Sequence, residues 1–126
     1  MTSLDSFFAA LADRTRLRLI NLMACGEICV CYFVAVLGES QPKISRHLAY
    51  LRRAGVVKAR RDGKWIHYGL AEPADPVSAR MLAALVEELR DDDSFQADVA
   101  ALASACCAPQ LDATLREAPK PAMAGA

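Results

Sequence analysis

Two cysteines one residue apart, Cys29 and Cys31, are the side chains of this chain best suited to chemistry. Paired thiols can chelate a soft, thiophilic ion through sulfur, or they can act as a redox pair. A basic segment follows closely: Gln41-Pro42-Lys43-Ile44-Ser45-Arg46-His47-Leu48. That order suggests an ion whose capture is read out through a basic helix. If the first helical turn after Gly26 carries both thiols, they stand at i and i+2, on nearly opposite sides of the helix. One ion could then hold both only by bending or unwinding that turn, which makes the spacing a switch as well as a site. The alternative is that one or both are small buried apolar residues. Against it, a helix N-terminus stabilises thiolates. Cys25, in the preceding loop or helix end, is equally a core filler or a third ligand. Cys106 and Cys107 are adjacent and cannot both face one core, so they form a further candidate ligand pair.

Other chemistry finds little support. The sequence shows no Ser/His/Asp set, no paired carboxylates and no phosphate-cradling glycine loop, and nothing orients a cysteine on a histidine. No enzyme is expected. Five cysteines are an odd number and make a poor disulfide framework. The start, Met1-Thr2-Ser3-Leu4-Asp5, lacks the features of a signal peptide, and no apolar run approaches the ~18 residues of a membrane span. A cytoplasmic protein without membrane contact is expected, with its thiols reduced.

A formal net charge of zero conceals strong segregation. Residues 43–64 hold eight basic residues and one acid, a net +7, so the remainder carries −7. One face is therefore suited to a polyanion.

The elements that must position these groups follow from periodicity and caps. Leu4, Phe7, Phe8 and Leu11 predict a first helix over 3–12. Asp13 caps a second helix through Met23, with Leu17, Ile20 and Met23 inward and Arg14, Arg16 and Arg18 largely outward. A third helix runs over 29–37 and stops at Gly38. Ser40 caps a fourth, in which Pro42 is tolerated and Ile44, Leu48 and Leu51 form one apolar stripe. A helix, a short turn and a helix with a basic face make a helix-turn-helix. Residues 56–61 and 64–70 predict two strands joined at Asp62-Gly63, a hairpin with a basic tip, hence a wing. In it Trp65 is expected in the core and His67 as a satisfied structural histidine. A fifth helix over 77–90 carries more apolar residues than one face needs. With the first helix it predicts a dimer interface. Asp91-Asp92-Asp93 reads as a solvated loop before an N-cap at Ser94 and a short helix that faces inward through Phe95, Val99, Leu102 and Cys106. The fold class expected is mainly α with a β-hairpin wing, α+β, a dimeric winged helix-turn-helix. A DNA-binding and dimerisation domain over 1–92 precedes a helical extension over 93–108 and an unstructured tail over 109–126.

Several motifs in one register carry a resemblance to a known family. They are Ala9-Leu11-Asp13-Arg14-Thr15-Arg16-Leu17, Gly26-Glu27-Ile28-Cys29-Val30-Cys31, Ser45-Arg46-His47-Leu48-Leu51-Ala54-Gly55-Val56-Val57 and Arg60-Arg61-Asp62-Gly63-Lys64-Trp65-Ile66-His67-Tyr68. Across residues 4–90 the chain resembles the ArsR/SmtB winged-helix repressors, which release DNA when a metal or metalloid binds. The cysteine pair looks like the arsenical-responsive branch, implying As(III) or Sb(III) as effector on Cys29 and Cys31. The family pattern often places a third cysteine where this chain has Val34, so a third sulfur would come from Cys25, Cys106 or Cys107. Cadmium- and lead-responsive relatives add N-terminal cysteines that are not seen here. Residues 77–90 lack the histidine of zinc- and nickel-responsive relatives. The partners implied are double-stranded operator DNA and a second copy of the chain, with no cofactor for DNA binding.

The recognition helix, 40–54, is expected in the major groove. Gln41, Lys43, Ser45, Arg46 and Tyr50 are candidates for base contact, and Arg52, Arg53, Arg60, Arg61 and Lys64 for phosphates. His47 either contacts DNA or packs on the wing, and the wing, 60–65, follows the backbone or minor groove. A thiol-redox repressor on the same fold, or one responding to cadmium or lead, is the alternative function.

Overall fold

A computed structural model describes residues 3–107 and 118–121; for Cys106 and Cys107 only the helical backbone is described. Six helices and a small sheet follow the order α1 (Leu4–Leu11), α2 (Arg14–Met23), β1 (Ile28–Cys29), α3 (Val30–Leu37), α4 (Gln41–Arg53), β2 (Val57–Asp62), β3 (Trp65–Leu70), α5 (Pro76–Arg90) and α6 (Asp93–Cys107). This is the expected winged helix-turn-helix. No described helix is long and apolar enough to cross a membrane.

Side-chain caps set the helix starts. Ser3 Oγ accepts from the Ser6 amide, Asp13 Oδ1 from Arg16 at 3.0 Å, and Ser40 Oγ from Lys43 at 3.4 Å. For α6 the cap is Asp92 rather than Ser94. Its Oδ1 accepts from the Ser94 amide at 2.9 Å, the Ser94 hydroxyl at 2.6 Å and the Phe95 amide at 3.4 Å. The helix thus starts two residues earlier than expected, with Phe95 buried in the core.

The sheet has three strands, ordered β1-β3-β2, all antiparallel. The hairpin was expected; β1 was not. It is two residues long, with Ile28 opposite Tyr68 and Cys29 opposite His67. The wing turn also falls one residue later than Asp62-Gly63, because Asp62 pairs with Trp65 and leaves Gly63-Lys64 as the loop. Gly63 has φ 61°, and a positive φ at the first central residue alone is the type II′ pattern, which suits glycine there.

The core gathers Phe7, Leu19, Ile20, Leu22, Tyr32, Phe33, Ile44, Leu48, Leu51 and Val56 around α2, which packs against the five other helices. Trp65 is only partly buried at the edge of this cluster, with the Lys64 ammonium 5.0 Å from its ring centre. The α2 arginines are not simply outward. Arg18 makes a two-pronged ion pair with Asp98 of α6, at 2.8 and 2.9 Å. Arg14 lies 4.2 Å over Phe95 and donates to Ser94 Oγ, while buried Asn21 donates to the Phe95 carbonyl at 2.8 Å. These contacts seat α6 on α2. Within the segment expected to be an unstructured tail, Ala118 and Pro121 are buried; the rest of 109–126 lies outside the described residues. On α1 and α5, Leu4, Phe8 and Met81 remain exposed at 44–45%.

Candidate thiol site and nucleic-acid interface

Cys29 does not stand in a helical turn. It is extended, with φ −68° and ψ 141°, closes β1 opposite His67 and serves as the residue before α3 without capping it through its side chain. It is fully buried. Cys31 is the second residue of α3 and half-buried. The two thiols therefore straddle a strand–helix junction, and the helical i, i+2 geometry expected from the spacing is not present. The chemistry of the donors still suits a thiophilic ion: two sulfurs, one residue apart, one of them reachable from solvent.

Cys25 sits in the turn between α2 and Gly26, half-buried. Burial pushes its thiol pKa above the ordinary value, and Arg90 opposes the rise only in part. It is therefore a protonated, poor nucleophile at neutral pH. A maleimide at pH 7 should label Cys25 more slowly in the folded protein than in urea, read by peptide mass spectrometry. Equal rates would contradict the burial. Among the described residues no three Cys, His, Asp or Glu side chains form a group able to hold a metal ion, so Cys25, Cys29 and Cys31 are not assembled as a trio. The side chains of Cys106 and Cys107 lie outside the described residues.

His67, buried at 6% exposure, has no hydrogen-bond partner for Nε2 among the described residues; Asp62 Oδ2 lies 3.7 Å away, beyond hydrogen-bond range. The expectation of a satisfied histidine is corrected there.

The basic face is formed as expected on α4. Ile44, Leu48 and Leu51 are fully buried, which turns Gln41, Arg46, Tyr50, Arg52 and Arg53 to solvent, with Lys43, Ser45 and His47 at the margins. Gly38, at φ 70°, ends α3 and leads directly to the Ser40 cap. Several candidate DNA contacts already have protein partners. Lys43 pairs with Glu39 at 3.1 Å, and Arg61 donates to the Gly63 carbonyl at 3.3 Å. Arg60 of the wing pairs with Glu27 at 3.0 Å. Glu27 reaches across β3 over Gly69, where a Cβ would come within 3.2 Å of its Cγ. His47 contacts Asp13 and Arg16. Neither Glu27 nor Arg16 was singled out by sequence reasoning, since their partners are 33 and 31 residues away.

A buried apolar stripe under a basic reading helix, followed by a basic hairpin, defines a winged-helix nucleic-acid-binding protein with thiols beside the reading unit. Residues 13–59 match the family model of the bacterial regulatory proteins of the arsR family. The chain is 46% identical over 76 residues to the arsenical resistance operon repressor of Escherichia coli, covering 60% of this chain and 65% of that one. It is 40% identical over 83 residues to an HTH-type transcriptional regulator of Methanocaldococcus jannaschii, covering 65% of this chain and 89% of the relative. The homodimeric winged helix-turn-helix domain of a possible ArsR-family regulator from Mycobacterium bovis superimposes with a TM-score of 0.57 at 32% identity, over 70% of this chain and 78% of that one. The chain belongs to the ArsR family. It spans about half to two thirds of the length of the arsenic-resistance relatives it matches. These relatives are named as transcriptional regulators, not enzymes.

Proposed function

We propose that the chain is a dimeric, cytoplasmic transcriptional repressor that binds double-stranded operator DNA and releases it when Cys29 and Cys31 capture trivalent arsenic or antimony. The observation that carries the reading is the place of Cys29: its strand pairs with the wing strand β3, and the residue after it opens α3, the first helix of the helix-turn-helix. Drawing the two sulfurs to one ion must disturb either the β1–β3 pairing or the first turn of α3. Both lie one element away from a DNA-reading surface, so ion capture and DNA binding are coupled through a short, stiff path. A third sulfur comes from Cys25, Cys106 or Cys107. Dimerisation uses the exposed apolar residues Leu4, Phe8 and Met81 and places two α4 helices in successive major grooves. Gln41, Lys43, Ser45, Arg46, His47 and Tyr50 face bases, and Arg52, Arg53, Arg60, Arg61 and Lys64 face phosphates.

The test uses double-stranded DNA selected from a random library by the reduced protein, with binding followed by fluorescence anisotropy. Arsenite under reducing conditions should weaken binding by a factor of about 5–150, the range of ordinary allosteric coupling. Tight binding unchanged by excess arsenite overturns the effector. Release by cadmium, lead or peroxide in its place assigns the thiols to another thiophilic metal or to oxidation.

A further inference from the structure

We propose that Arg16 is a positioning residue for DNA reading, holding His47 and Tyr50 of the recognition helix in their contact geometry from outside that helix. This rests on the DNA-binding function proposed above and assigns a role to a residue whose periodicity marks it as outward.

Arg16 has almost no freedom. Its amide donates to Asp13 Oδ1 at 3.0 Å, fixing the start of α2. Its Nε donates to the Ala10 carbonyl at 2.7 Å and Nη2 to the Ala9 carbonyl at 3.2 Å. These carbonyls lie in the last turn of α1, where helix geometry leaves acceptors short of donors, although that of Ala9 also accepts from the Ala12 amide at 3.3 Å. Nη1 then reaches His47 Nδ1 at 3.3 Å, and the guanidinium carbon sits 4.3 Å from the centre of the Tyr50 ring. One planar fork thus ties the end of α1 to two consecutive turns of α4.

The chemistry of each contact limits what the readers can do. A guanidinium only donates, so this contact requires Nδ1 of His47 to accept and leaves its ring proton on Nε2. Asp13 Oδ1 lies 4.0 Å from the same nitrogen, too far for a hydrogen bond. Tyr50 is 37% exposed, so cation–π contact holds its ring while leaving it accessible. Both side chains give up their rotational freedom before DNA arrives, which is the condition for tight and selective contact. Lysine cannot substitute, since a point charge has neither the fork nor the flat face. Arg16 is half-buried and turns each of its three guanidinium nitrogens to an acceptor inside the protein, so the role assigned to it is positioning, not phosphate contact.

The experiment compares wild type, Arg16→Lys and Arg16→Ala on two duplexes: the site selected from a random library by wild type, and a scrambled duplex of equal length. Both Arg16 variants should lose about tenfold or more on the selected site. On the scrambled duplex, affinity and the slope of log affinity against log salt should be unchanged. Should Arg16→Ala fail to fold, Arg16→Lys is also measured in a Tyr50→Leu, His47→Ala background. There it should cost little, because the residues it acts through are gone. Equal losses on both duplexes would reduce Arg16 to a structural residue. A shallower salt slope would make it a phosphate contact, and a wild-type Arg16→Lys would leave only its charge. Any of these overturns the proposal. Failure of wild type to enrich any sequence overturns this proposal together with the DNA-binding function, and is distinguished by the absence of a selected site.

Discussion

A Cys29→Ser, Cys31→Ser protein is expected to bind the selected duplex close to wild-type affinity and to stay bound when arsenite is added, erasing a response of about 5- to 150-fold. Serine oxygen is a hard, protonated donor at neutral pH and a poor ligand for a thiophilic ion, so effector capture is lost while the side-chain volume is nearly kept. The two positions differ in what else they cost. Cys31 is half-buried, and its serine can reach water. Cys29 is fully buried in β1, so a hydroxyl there must find an acceptor or cost about 1–3 kcal/mol. Cys29→Ala is the companion variant, since it removes the sulfur without adding a polar group. If the two single variants and the double variant all lose the response while their melting temperatures remain near wild type, the thiols act as ligands. A double variant still released by arsenite would remove Cys29 and Cys31 from the sensing site.

Local chemistry made much of this architecture readable before any coordinates. Asp13 and Ser40 cap the helices that their positions announce, because an N-cap depends on a side chain and an amide two or three residues apart, whereas Ser3, read as the first residue of its helix, is the cap instead. The α4 stripe is legible for the same reason, since one helix face repeats within eight residues and all three of its members are fully buried. Where the reading failed, the decisive partner was distant or several local choices were equivalent. A two-residue strand has no period, and the pairing that brings Cys29 into the sheet is with His67, 38 residues later in the sequence. The run Asp91-Asp92-Asp93-Ser94 offers four successive caps, and tertiary burial of Phe95 selects Asp92. Arg14, Arg16 and Arg18 are polar by pattern, yet each meets a partner 31 to 80 residues away. The candidate site shares this division. The buried stripe of α4 and the basic face opposite it were legible from one helix, whereas the junction setting of the thiols depends on the sheet.

Leu48→Ala should produce a large loss of stability. The side chain is fully buried on the stripe that seats the reading helix against α2, α3 and β2. Removing it forfeits transfer energy and leaves a cavity that close-packed neighbours fill only in part, a cost of about 2–5 kcal/mol. Total stability for a domain of this kind is of the order of 5–15 kcal/mol. The variant therefore sits near the edge of folding, and its urea midpoint should fall sharply with little change in slope. Tyr50→Ala makes the opposite separation. Its ring is partly exposed, so stability should move by well under the cavity cost, while affinity for the selected duplex drops. Both measurements need one fixed protein concentration, because any dimer gains stability by mass action. If Leu48→Ala unfolded at the wild-type midpoint, α4 would not be seated by this stripe, and its polar face could not be the one turned towards DNA.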